Sequence, residues 1–292
     1  MPLANSFLGK LFIITVAVLC AVLHAAPVRA ETSINCPEVI QPGQPFVLSI
    51  STDSASDVAV IWRGKNLPLP LSGQFKQQGE IILAMPLDGK EKSMPLSVSF
   101  LESGKPARQN FNLKVTPKEY PTQTLSVDSK FVNVSKADSQ RAEIERKRNN
   151  EVTARYTPQR MWTLPFYRPV PGELSSLFGL RRVFNGQPRN PHRGLDFRAA
   201  AGDPIRAAAD GVVALAEDQF FAGNVVYVNH GLGLFSVYMH MSKIEVKEGD
   251  KITRGQVLGR VGSTGRATGP HLHLSLIVQG TGADALPLLE NK

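Results

Sequence analysis

Near its C-terminus the chain reads Gly269-Pro270-His271-Leu272-His273-Leu274-Ser275-Leu276. Side chains of a strand alternate between two faces, so His271 and His273 project together. Leu272, Leu274, Leu276 and Val278 then form the opposite, core-facing side. Two imidazoles held side by side on a rigid strand suit a transition metal better than a packed interior. The chain has six histidines, at 24, 192, 230, 240, 271 and 273, and other segments bear on the same chemistry.

His192-Arg193-Gly194-Leu195-Asp196 adds a histidine and a carboxylate, with Gly194 permitting close backbone approach. In Ser236-Val237-Tyr238-Met239-His240, alternation puts Ser236, Tyr238 and His240 on one polar face. His230, in Asn229-His230-Gly231, reads as a turn residue at the surface or behind the site. Two histidines and one carboxylate can hold a catalytic zinc with one coordination position open for water. One carboxylate leaves the dication positive, which lowers the pKa of a bound water from 15.7 to about 7 and stabilises a developing oxyanion. The remaining two histidines suit general-base and oxyanion-stabilising roles, because imidazole titrates near neutrality. No His-Glu-x-x-His is present, and neither Ser263-Thr264-Gly265 nor Ser275 has the context of a nucleophile. The set points to metal-assisted hydrolysis of an amide.

The elements that must position these residues are all-β. Residues 161–292 are dominated by glycine and short β-patterned runs, Gly211–Leu215, Val225–Asn229, Leu234–His240, Lys251–Leu258 and His271–Val278, each bounded by turn signals. This predicts an antiparallel β domain with its chemistry on strand ends and loops. Residues 31–116 predict a β-sandwich of immunoglobulin-like type: Leu96, Val98 and Phe100 alternate with serines, and Phe46–Ile50, Val58–Trp62 and Ile81–Met85 are separated by Gly, Pro and Asp clusters. Residues 117–160 predict a polar helical linker, with Ser135-x-x-Asp138 as its cap. Residues 1–30 have the layout of a secretory signal peptide: Lys10, the apolar run Leu11–Leu23, and Val28-Arg29-Ala30 as a cleavage site.

Removing residues 1–30 lowers the formal net charge from +8 to +6 and leaves Cys36 as the single cysteine, so the exported chain has no internal disulfide. A basic exported protein is drawn to anionic envelope polymers. The basic residues are scattered without interleaved aromatics, which argues against nucleic acid.

From about Trp162 to Val278 the chain resembles the lysostaphin-type, or LytM-type, zinc endopeptidases of bacterial cell walls. The resemblance runs through Phe178-Gly179-Leu180-Arg181-Arg182, His192-Arg193-Gly194-Leu195-Asp196-Phe197, Ala209-Asp210-Gly211-Val212-Val213, Tyr238-Met239-His240, Gly262-Ser263-Thr264-Gly265 and Gly269-Pro270-His271-Leu272-His273. It implies an antiparallel fold of duplicated hybrid motif type and one zinc ion per chain. The ligands it implies are His192, Asp196 and His273, with His271 as general base and His240 assisting the transition state. The implied substrate is the stem-peptide cross-link of peptidoglycan, in the periplasm or cell envelope. No stable membrane insertion is expected after signal cleavage, and a regulatory envelope protein is a further partner to expect. The alternative on the same fold is a non-catalytic wall-binding or amidase-activating protein. After the His-x-His the family usually carries Phe-Glu where this chain has Leu274-Ser275, which predicts a changed groove wall and no loss of metal.

Overall fold

The structure, a computed structural model, describes residues 32–290, so the signal-peptide reading lies outside the described residues. The described residues pack as one compact unit. It is built of β-sheets, and Lys136–Thr153 is the only α-helix among the described residues. No helix there is long and apolar enough to cross a membrane.

The alternating runs of the N-terminal part become two sheets. Pro45–Thr52 and Gln77–Ala84 lie with Ser33–Asn35 in one, while Ala55–Trp62, Ser93–Glu102 and Lys105–Val115 form the centre of the other. Leu48, Ile50, Ile81 and Leu83 share a core with Val60, Trp62, Leu96 and Val98. Between Ile81 and Leu83, Ile82 faces the other way and joins a second core with Ala84, Leu234, Leu276 and Val278. The apolar run is therefore unbroken because that strand is buried on both faces.

The second core lies against an eight-stranded sheet. Its order is Leu174–Ser176, Leu195–Arg198, His271–Val278, Leu234–Met241, Gly223–Gly231, Gly211–Gln219 and Lys251–Ile252, with Thr281–Ala283 also on His271–Val278. All its pairings are antiparallel. Leu272, Leu274, Leu276 and Val278 enter the core, as their alternation requires. The N-terminal sheets meet the far end of that strand: Lys65 donates to the Gln279 carbonyl at 2.6 Å, and Gln279 Nε2 donates to the Ile82 carbonyl at 3.0 Å. At a rise of about 3.3 Å per residue, this contact is roughly 26 Å along the strand from His271.

Residues 117–160 carry more than a helix, because Thr122–Leu125 pairs in parallel with Arg181–Phe184. Ser135 Oγ caps the helix by accepting the Asp138 N–H at 3.1 Å. The helix can be polar all round because it docks through charges: Arg141 pairs with Asp218, Arg148 with Glu217, and the Glu145 carboxylate accepts the Phe220 N–H.

The surface reading of His230 is corrected: it is 1 % exposed at the end of Gly223–Gly231. The Ser236–Tyr238 face is likewise an interior face, with Tyr238 fully buried. The Ala208 N–H donates to the Tyr238 hydroxyl, which lies 2.9 Å from Ser236 Oγ, itself 2.7 Å from His230 Nε2. His230 Nδ1–H donates to the Asp210 carbonyl at 2.6 Å. Burial disfavours the charged imidazole and pushes the His230 pKa down to about 4. Between the unfolded pKa of about 6.5 and the folded one, the unfolded state binds the extra proton. Stability from this group is therefore complete above neutrality and is lost as pH falls towards 4, by about 3 kcal/mol. Urea unfolding at pH 7.5 and pH 5 is expected to show a smaller pH difference for His230→Gln than for the parent. Equal differences would remove His230 as the source.

Candidate active site

Strand register brings the distant parts of the site together. Asp196 lies directly opposite His273, and Arg198 opposite His271, so the Asp196 carboxylate and the His273 ring share a face. His192 precedes the Leu195–Arg198 strand in a loop fixed by two backbone hydrogen bonds, His192 N–H to the Leu180 carbonyl and Gly179 N–H to the His192 carbonyl. Gly194 lets the His273 ring lie flush on the chain, since a Cβ there would fall 2.4 Å from His273 Nε2.

Three atoms then form a small triangle. Asp196 Oδ1 is 2.8 Å from His273 Nδ1 and 3.0 Å from His192 Nε2, and the two nitrogens are 3.0 Å apart. The far side of each ring decides what those nitrogens carry. His192 Nδ1 lies 2.7 Å from the Leu177 carbonyl, which can only accept, so the proton is on Nδ1 and Nε2 offers a lone pair. His273 Nε2 lies 2.8 Å from Ser275 Oγ, which donates its own proton to the Arg193 carbonyl. That leaves His273 Nδ1 as a lone pair too. Burial pushes the His273 imidazole down, in keeping with a neutral ring. Two imidazole lone pairs and one anionic oxygen thus face one another with no proton between them, an arrangement that only a cation relieves. A tetrahedral zinc needs its donors about 3.3 Å apart, so this triangle fits one face of its coordination shell.

The other two histidines flank the triangle. His271 Nδ1 donates to the Gly269 carbonyl at 2.8 Å, which leaves Nε2 as a lone pair 3.9 Å from Asp196 Oδ1. His240 reaches the site by a route that alternation does not predict. Tyr238 pairs with Leu274 on the core face, so regular pleating would bury His240 on that side too. Its backbone is left-handed instead, with φ 65°, which turns the ring to within 4.8 Å of the His271 ring and 6.0 Å of the His273 ring. His240 therefore joins the site through this left-handed residue, and not by sharing a polar face with Ser236 and Tyr238. His240 Nδ1 donates to the Thr264 carbonyl at 2.9 Å, leaving Nε2 unprotonated. Burial, with repulsion from His273 and His271, pushes its pKa down to about 3.

Residues outside these motifs hold the donors in place. Arg182, 6 % exposed, donates to Asp196 Oδ2 at 3.1 Å, so one carboxylate oxygen is occupied while Oδ1 faces the triangle. Arg182 also donates to Ser176 Oγ and to Gln123 Oε1, the latter on the Thr122–Leu125 strand from the segment read as a linker. Nothing in the sequence pairs residues 123, 182 and 196. Ser275 is not on a groove wall: it lies 6 % exposed beneath His273, fixing that ring's tautomer. The period-two rule that joined His271 to His273 also reached Ser275, so this position was legible.

Residues 190–285 match peptidase family M23. The chain is 45% identical over 114 residues to the peptidoglycan DD-endopeptidase ShyA of Vibrio cholerae serotype O1, covering 39% of this chain and 26% of that protein. It is 40% identical over 107 residues to the DD-carboxypeptidase/endopeptidase Mpg of Neisseria meningitidis serogroup B, covering 37% of this chain and 25% of that protein. The match thus spans about a quarter of the length of these curated relatives. A crystal structure of a candidate peptidase M23 from Pseudomonas aeruginosa superposes with a TM-score of 0.63 at 31% identity, covering 84% of this chain and 92% of that one.

Proposed function

This chain belongs to peptidase family M23, and from that premise we propose that it is a zinc-dependent endopeptidase hydrolysing the peptide cross-links of bacterial peptidoglycan. The observation that carries the reading is the convergence of three unprotonated donors, His192 Nε2, His273 Nδ1 and Asp196 Oδ1, within 3.0 Å of one another. A dication held there supplies Lewis acidity, lowering the pKa of a water and polarising the scissile carbonyl.

The chain's own residues supply the rest. His271 is the general base: its Nδ1–H is held by the Gly269 carbonyl, so Nε2 points its lone pair towards the water position beside Asp196. His240 also begins as an acceptor, since its Nδ1–H is committed to the Thr264 carbonyl. It becomes a donor to the developing oxyanion only after taking a proton, and its ring lies 4.8 Å from that of His271. Arg182 keeps Asp196 turned to offer one oxygen. A non-catalytic, amidase-activating role would leave this complete set of donors and bases without a task.

The substrate class rests on the peptidoglycan DD-endopeptidase activity named for the Vibrio relative. With the signal-peptide pattern of residues 1–30, it supports a mature protein in the periplasm or cell envelope. The two N-terminal sheets serve as an accessory sandwich of immunoglobulin-like type, followed by the helical segment. Mass spectrometry of defined cross-linked muropeptides incubated with the mature protein is expected to show scission at the D-Ala–diaminopimelate link. A chelator should abolish it and stoichiometric zinc restore it. Undiminished cleavage after complete zinc removal would overturn the mechanism.

A further inference from the structure

Three arginines share the neighbourhood of the site, Arg182, Arg189 and Arg266, and their hydrogen-bonding states differ. The Arg182 guanidinium is filled by Asp196, Ser176 and Gln123. That of Arg189 is filled by the carbonyls of Val132 and Pro188 and by Gln187. The Arg266 guanidinium packs against two ring faces: its Cζ lies 4.6 Å from the Phe221 ring centroid and 5.0 Å from that of Phe184. Among the described residues no carboxylate pairs with it and no acceptor lies within hydrogen-bond reach of its guanidinium. Its only recorded hydrogen bond is from the backbone, Arg266 N–H to the Phe221 carbonyl at 2.9 Å.

The position of Arg266 in the chain is as telling as its lack of partners. It sits in the loop between Gly262 and His271, whose ends are joined by a β-bridge. The same loop supplies the Thr264 carbonyl to His240 and the Gly269 carbonyl to His271. Arg266 lies between those two anchors, so the loop that sets both histidines also sets this guanidinium. Close packing fixes it further, since a Cβ on Gly265 would fall 2.3 Å from Gly223 N. A partly buried cation without a counter-charge is costly, and stacking between two rings orients its fork without satisfying it. Burial first, and then repulsion by Arg182 and Arg189, already push its pKa down to about 10, the direction that an anion would reverse.

Resting on the peptidase reading above, we infer that Arg266 receives the free carboxylate on the carbon bearing the scissile nitrogen of the cross-link. A guanidinium binds a carboxylate through two parallel charge-assisted hydrogen bonds, and the two phenylalanine faces hold the fork ready. Arg266 is thus a specificity residue: it selects cross-links whose leaving amine carries a negative charge beside it.

The test compares two synthetic cross-linked peptides that differ only in that carboxylate, free in one and amidated in the other. Zinc-loaded mature protein is expected to cleave the free form with kcat/KM about 10- to 100-fold higher. Arg266→Gln should collapse that ratio towards one while zinc content stays the same, and Arg266→Lys should keep part of it. A parent enzyme with no preference, or a preference that survives in Arg266→Gln, overturns the assignment. If Arg266→Gln fails to fold, an unreduced preference in Arg266→Lys overturns it. Cleavage of neither peptide would defeat the peptidase reading alone. The carboxylate assignment is then read from calorimetric binding of the same two peptides, where equal affinities for the parent would end it.

Discussion

Mature protein carrying His273→Ala is expected to retain no zinc after dialysis, whereas His271→Ala should keep one zinc per chain and lose about 100- to 10,000-fold in kcat. The two imidazoles lie two residues apart on one face of one strand, yet opposite nitrogens are turned to the site. His273 presents Nδ1 to Asp196 Oδ1 at 2.8 Å, because Ser275 Oγ holds Nε2–H. His271 presents Nε2, because the Gly269 carbonyl holds Nδ1–H, and it stands 3.9 Å from the same oxygen. Removing one corner of the triangle leaves two donors, which do not make a closed zinc site. Removing the flanking base leaves the triangle whole. Metal content by atomic spectroscopy, beside single-turnover cleavage of a cross-linked peptide, separates the outcomes. Zinc loss in His271→Ala, or zinc retention in His273→Ala, would reverse the assignment.

Arg182→Met is expected to destabilise the metal-free protein by about 3–5 kcal/mol, a large share of the roughly 5–15 kcal/mol that holds a typical domain together. Both members of the Arg182–Asp196 pair are buried, at 6 % and 9 % exposure, so the substitution leaves a carboxylate inside without its counter-charge. It also leaves Ser176 and Gln123 without the donor that joins the Thr122–Leu125 strand to the site. Zinc should restore more stability to Arg182→Met than to the parent, because the dication replaces the lost positive charge beside Asp196. The double variant with Asp196→Asn should be less destabilised than the sum of the single changes, since it removes the stranded charge as well. Urea denaturation in chelator and in zinc supplies these numbers. A single-variant effect below about 1 kcal/mol, with additive behaviour, would show that the pair does not matter to the fold.

Much of the fold was legible because it follows from periodicity. The N-terminal alternating runs became strands, and Leu272, Leu274, Leu276 and Val278 went to the core. Two failures have physical causes. The Thr122–Leu125 strand was hidden because its four residues are mostly polar, and its partner, Arg181–Phe184, lies more than fifty residues away. His230 was misread because Asn229-His230-Gly231 has turn composition, whereas neighbouring strands bury it.

The His-x-His strand marks the boundary between the two kinds of information. Its sequence alone determined that residues 271, 273 and 275 share a face, because a strand's side-chain period is a local property of the backbone. Only the tertiary structure decided which ring nitrogen each histidine offers, since the choice is made by Gly269, Ser275 and Leu177 acting on protons at the far side of each ring. It also decided that His240 belongs to this face, through a left-handed residue that breaks the period. Arg182 reached Asp196 by the same long-range logic: the two lie on strands of different sheets, and how one sheet packs on another is a relation between segments that no single segment encodes.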